Sequence, residues 1–174
     1  ISELKGSLML TMSTQLKHHA DVNYLVVGLG LSGFSAARYL ITKGYRCRVQ
    51  DTRDIPPYFQ ALRNEFPSTD IVKKPLNAEL IDWADVLVVS PGLSIAQPEI
   101  TQAIDLGKSV IGDIELFAQA VTDKPVVAIT GSNGKSTVTT LLGDMIVADG
   151  KLVGVGGNLG IPALDLLQTP ADYY

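Results

Sequence analysis

Cysteine is almost absent. Cys47 is the only one in 174 residues, so no disulfide can form within the chain and a reducing cytoplasm is the expected compartment. Basic charge is also scarce: 14 Lys and Arg stand against 18 Asp and Glu, a net charge of −4. That balance offers no electrostatic footprint for nucleic acid or an anionic membrane, so any phosphate site must be local. No apolar run approaches the roughly 18 residues of a membrane span. The opening, Ile1 to Thr11, lacks the charged start, apolar stretch and cleavage site of a secretory signal. Met12 followed by Ser-Thr-Gln reads as a natural start, with the residues before it an upstream leader. Residues 1–19 form this polar lead-in, and its adjacent His18 and His19 read as solvated, not as metal ligands. Aromatic residues are few, at 6%, and make no stripe for base stacking. Trp83, Tyr39, Tyr45 and Tyr58 are therefore expected in packing.

The chain is nevertheless 46% hydrophobic, a composition that folds. Apolar runs alternate with helix-length segments, the pattern of βα units and a parallel sheet. Strands are expected at Tyr24 to Gly28, Arg48 to Gln50, Ile71-Val72, Val86 to Val89 and Ser109 to Ile111. Helices are expected at Ser32 to Thr42, Tyr58 to Glu65, Ala78 to Asp82 (with Asn77 as cap), Glu99 to Leu106 and Ile114 to Ala120. A second cycle follows, with a strand at Val126 to Ile129, a helix through Val138 and Ile146 to Gly150, and a strand at Leu152 to Val155. Asp172-Tyr173-Tyr174 begins another strand, and the piece reads as truncated there. The expected fold is α/β: a Rossmann-like parallel-sheet domain over 20–111, then the incomplete start of a P-loop-type domain over 112–174.

Two glycine-rich turns carry the chemistry. Gly28-Leu29-Gly30-Leu31-Ser32-Gly33 fits G-x-G-x-x-G between a strand and a helix. Glycines allow a tight turn, and the helix N-terminus offers unpaired N–H groups to a diphosphate. Asp51, at the end of the second strand, can accept hydrogen bonds from a ribose or base. The alternative is a glycine turn that serves helix packing alone. Downstream, Gly131-Ser132-Asn133-Gly134-Lys135-Ser136-Thr137 lies between a buried strand and an amphipathic helix. Its N–H groups can cradle phosphates, Lys135 can reach β/γ oxygens, and a Ser136 or Thr137 hydroxyl can ligate Mg²⁺. The loop is shorter than G-x-x-x-x-G-K-[ST], which argues against a P-loop kinase.

Thr130 to Thr137 (TGSNGKST) resembles the ATP loop of the Mur ligases and their folylpolyglutamate synthase relatives. GLGLSG, Asp51-Thr52-Arg53, Ser90-Pro91-Gly92, GDIELF (112–117) and GGNLGIPAL (156–164) resemble the D-glutamate-adding branch. The resemblance runs from about Val22 to Leu167. It implies that the first glycine turn holds a UDP-linked substrate instead of NAD: Gly30, Leu31 and Ser32 at the diphosphate, Asp51, Thr52 and Arg53 around the uracil, Gly92 beside the uridine, and Asn158 at the UDP-sugar. It also implies that Gly131, Ser132, Asn133, Gly134, Lys135, Ser136 and Thr137 hold ATP, with Lys135 catalytic and Ser136 on Mg²⁺. Plainer roles stay open: a capped strand end for Asp51-Thr52, a solvated Arg53, an ordinary turn at 90–92, a left-handed turn residue at Asn158. Asp113 and Glu115 read as acids in a helix first turn.

The implied reaction joins D-glutamate to UDP-N-acetylmuramoyl-L-alanine at the expense of ATP, through an acyl phosphate, in a cytoplasmic monomer. No nucleic acid or membrane takes part. The 174-residue piece alone is expected to be inactive. The rivals are a NAD-dependent dehydrogenase fragment, which leaves the second loop unexplained, and a non-catalytic nucleotide-binding module.

Overall fold

The computed structural model describes residues 21–158 and 160–174. The expected leader, 1–19, lies outside them. Five parallel strands form one sheet: β1 (Asn23–Val27), β2 (Arg46–Gln50), β3 (Asp70–Val72), β4 (Val86–Val89) and β5 (Ser109–Gly112). Their spatial order is β3-β2-β1-β4-β5. The chain thus winds outward from β1 to β3, then returns to add β4 on the other side of β1. This reversal opens a crevice at the carboxyl ends of β1 and β4, where doubly wound sheets bind ligands.

Register explains why the strands read as unbroken apolar runs. Val26 lies between Val49 and Val88, while Leu25 and Val27 pair with Leu87 and Val89 across β4. Side chains alternate faces along a strand, and both faces of this sheet are covered. Val26, Val49 and Val88 meet Phe34, Ala37 and Leu40 of α1 (Leu31–Thr42), Leu62 of α2 (Phe59–Glu65), and Leu116 and Phe117 of α5 (Asp113–Ala120). Leu25, Val27, Leu87 and Val89 meet Leu80 and Ile81 of α3 (Ala78–Trp83) and Ile100 and Ala103 of α4 (Pro98–Asp105). Fully burying one such side chain contributes about 1.5–3 kcal/mol. The Asn77 side chain caps α3 as expected, accepting the Leu80 N–H at 3.0 Å.

Beyond α5 the chain differs from the sequence-based expectation. Val126 to Ile129 form no strand, and of Leu152 to Val155 only Val153 makes a bridge. A strand is defined by its neighbours, and here the central neighbour is the dipeptide Tyr173-Tyr174. Val127 donates to the Tyr174 carbonyl at 2.7 Å and Tyr174 to the Pro125 carbonyl at 3.0 Å. On the other side Gly154 donates to the Tyr173 carbonyl at 2.9 Å, beside a lone parallel bridge between Val153 and Tyr173. α6 (Lys135–Ala148) begins three residues before its first apolar position, Val138. The one-turn α7 (Ala163–Leu166), not anticipated, packs Ala163 and Leu164 into the core beside α1.

Candidate functional site

The upstream turn is held from three directions. The Gly28 N–H donates to the Gln50 carbonyl at 2.7 Å, and the Ser90 hydroxyl donates to the Gly28 carbonyl at 3.0 Å. Gly28 itself sits at φ +93, a left-handed conformation that side chains disfavour. Gly33 is needed for another reason: a Cβ there would lie 1.8 Å from the Gly28 carbonyl oxygen, so only glycine lets α1 cross the strand end this closely. Gly30 differs from both, because an added Cβ would meet nothing within 4 Å. It caps α1 in extended conformation with its open side toward a cavity.

That cavity, of about 430 Å³, is lined by Gly28, Gly30, Asp51, Thr52, Arg53 and Gly92, with Gln50, Leu76, Ser90 and Gln97 among the others. Five of the eight residues expected at a uridine carrier therefore share one space. Leu31 and Ser32 follow Gly30 in the first turn of α1, where backbone N–H groups lack helical partners. Asn158 is placed elsewhere. It lines a separate apolar cavity of about 300 Å³ with Phe117, Leu142, Leu166 and Tyr174.

Asp51 is the electrostatic centre of the crevice. It is 3% exposed, yet its carboxylate is fully engaged. Oδ2 accepts the Leu29 N–H at 2.7 Å and Arg53 Nη2 at 2.6 Å, while Oδ1 accepts the Arg53 N–H at 2.9 Å and Nε at 2.8 Å. Burial pushes its pKa up, but the Arg53 and Leu29 hydrogen bonds outweigh that and hold it at about 2. The carboxylate thus ties the glycine turn to the end of β2 and fixes the guanidinium at the cavity wall. The half-exposed Arg53 is not a freely solvated side chain, whatever further partner it takes.

The downstream loop is built differently. All seven residues, Gly131 to Thr137, are exposed. Gly134 caps α6 at φ +77, so the amides of Lys135, Ser136 and Thr137 form the open first turn of a 14-residue helix. The Lys135 ammonium folds back over the loop, donating to the Gly131 carbonyl, with the Ser132 carbonyl at 3.5 Å. Ammonium, amides and hydroxyls thus gather on one exposed turn.

Some participants were missed in the sequence. Ser90 entered only as part of a turn, although a hydroxyl directly after a buried strand could have signalled its contact with Gly28. Gln97 and Leu76 had no sequence signal.

A family model described as Mur ligase MurD-like, N-terminal domain, matches residues 22–112. The UDP-N-acetylmuramoylalanine--D-glutamate ligase of Shewanella violacea is 49% identical over 156 residues, 88% of this chain and 35% of that protein. The ligase of the same name from Pseudomonas savastanoi pv. phaseolicola is 51% identical over 150 residues, 86% of this chain and 33% of that protein. Among solved structures, a pseudomurein peptide ligase type C from Methanothermus fervidus superposes with a TM-score of 0.50 at 26% identity, covering 87% of this chain and 32% of that one. The chain spans about a third of the length of the curated relatives it matches.

Proposed function

This chain belongs to the Mur ligase family through its MurD-like N-terminal domain, and from that premise we propose that it is part of an ATP-dependent ligase joining D-glutamate to UDP-N-acetylmuramoyl-L-alanine through an acyl phosphate. The observation that carries the proposal is the joining of Gly30, Asp51, Thr52, Arg53 and Gly92 around one crevice at the sheet's switch point. Leu31 and Ser32 present the α1 N-terminus to the diphosphate, whose negative charge the helix dipole favours. Asp51, Thr52 and Arg53 surround the uracil in this reading, and Gly92 lies beside the uridine. Thr52 and Arg53 do so with groups of their own, and Asp51 by holding Arg53 and the Leu29 amide in place, since its carboxylate is already engaged. Asn158, which lines the separate cavity in this structure, would have to meet the sugar from its own loop.

The donor set of the downstream loop suits a nucleoside triphosphate with a hard, oxygen-loving cation. When bound, ATP with Mg²⁺ supplies the phosphoryl group that activates the L-alanyl carboxylate toward the D-glutamate amine. The amides of residues 131–137 hold the phosphates, Ser136 presents its hydroxyl to Mg²⁺, and Lys135 offsets charge on the transferring group. Two anions must meet, so fixed positive groups and orientation are the main contributions of these residues. A dehydrogenase would have no use for this second loop. The same reading takes residues 20–111 as the substrate-carrier domain and 112–174 as part of the ATP domain of a cytoplasmic, monomeric enzyme.

The test uses the full-length protein. Phosphate release from ATP should require both UDP-N-acetylmuramoyl-L-alanine and D-glutamate, and the 174-residue chain alone should release none. Equal release with D-glutamate omitted would overturn the assignment.

A further inference from the structure

The one-turn helix α7 is too short to hold itself by backbone bonds, because helix nucleation is costly. It is fixed by what it touches. Ala163 and Leu164 are 5% and 3% exposed in the core beside α1. The next residue, Asp165, spreads its carboxylate over two groups of α1: Oδ1 accepts the Ser35 hydroxyl, and Oδ2 lies 2.7 Å from Arg38 Nη2. Ser35 is 1% exposed, so its hydroxyl depends on that partner. Ser35 and Arg38 stand three residues apart on one face of α1, and Arg38 is braced by Glu65 at 3.6 Å and by the Phe34 ring at 5.0 Å.

The loop before α7 is tightly closed. The Gly157 N–H donates to the Ile161 carbonyl at 2.8 Å, and a Cβ on Gly156 would lie 2.3 Å from that same oxygen. Asn158 follows Gly157 directly, and the Gly157–Ile161 bond links that side of the loop to the chain two residues before α7. At its other end α1 begins with Leu31 and Ser32, the turn facing the crevice.

We propose that Asp165 is a positioning residue. Through Ser35 and Arg38 it sets where the Asn158 loop stands relative to the α1 N-terminus, and so how well one substrate is gripped from both sides. The proposal rests on the ligase reading for its substrate, but the strap itself does not.

The experiment uses the full-length enzyme. Asp165→Asn should raise KM for UDP-N-acetylmuramoyl-L-alanine about tenfold while KM for ATP changes less than about twofold, the scale of coupling between contacting groups. Asn158→Ala should weaken the parent enzyme but add less than about twofold on the Asp165→Asn background, because coupled groups are not additive. An unchanged KM, a parallel rise in both KM values, or fully multiplicative effects overturns the proposal. Arg38→Met, which keeps the apolar stem, should reproduce the Asp165→Asn pattern and serves if that variant folds poorly. Hydrogen exchange of residues 157–161 without ligand is the independent arm: faster exchange in either variant supports the strap, and equal exchange refutes it. If the parent enzyme does not bind the UDP compound, the ligase reading fails while the exchange arm still decides the strap.

Discussion

The two glycine turns present the same pattern to a reader of the sequence, apolar run then glycines then helix, yet they are held in opposite ways. The upstream turn grows from β1, the central strand, with β2 and β4 bonded on either side. Its carbonyl and amides are tied to Gln50, Asp51 and Ser90. The downstream loop follows a segment outside any strand, bonded to Tyr174 through Pro125 and Val127, and every residue from Gly131 to Thr137 is exposed. Glycine spacing specifies a turn, but neighbouring strands make it rigid. The first cradle is therefore tied into the sheet, whereas the second is exposed in this chain and, in the proposed reading, serves chemistry.

That contrast predicts separable defects. The largest effect should fall on catalysis: in the full-length enzyme, Lys135→Ala is expected to cut kcat by about a hundred- to a thousandfold, the range for removing one charge-stabilising donor. The melting temperature of the 174-residue chain should barely move with the same substitution, since the side chain is exposed there. A large loss of stability would erase the distinction. Gly33→Ala should do the reverse. Its methyl must displace the Gly28 backbone, at a cost of about 3 kcal/mol, the upper range for overpacking, readable by urea unfolding.

The next effect sharpens the electrostatic side. Asp51 has a folded pKa of about 2 against an ordinary 3.8. A lowered carboxylate pKa stabilises the fold above the unfolded value and loses that contribution as pH falls through the folded one. Stability should therefore drop by about 2 kcal/mol between roughly pH 4 and pH 2, since each tenfold difference in proton affinity between the folded and unfolded chain is worth about 1.4 kcal/mol. Asp51→Asn should remove this slope while leaving the rest of the acid titration intact. The smallest effect belongs to the exposed loop: Gly134→Ala, at φ +77, should cost only about 1 kcal/mol.

The same comparison explains what could be read from the sequence. VLVV over 86–89 was legible because a strand buried on both faces must be apolar at every position. Val126 to Ile129 carries the same signal but forms no ladder, since pairing depends on partners that local sequence does not name. The glycines of the first turn and Asp51 stood out through turn chemistry and a strand end, whereas Thr52, Arg53 and Gly92 were named only by the family resemblance. Gln97, Leu76 and the Asp165 contact did not, because each becomes meaningful only when segments distant in sequence meet. Asp165 and Ser35 are 130 residues apart.

Amide chemical shifts of this chain, titrated in parallel with UDP-N-acetylmuramoyl-L-alanine and with NADH, address the upstream crevice most directly. The UDP compound should shift Gly30, Leu31, Ser32, Thr52, Arg53 and Gly92 while NADH leaves them in place. Shifts at these residues with NADH and none with the UDP compound would contradict the account.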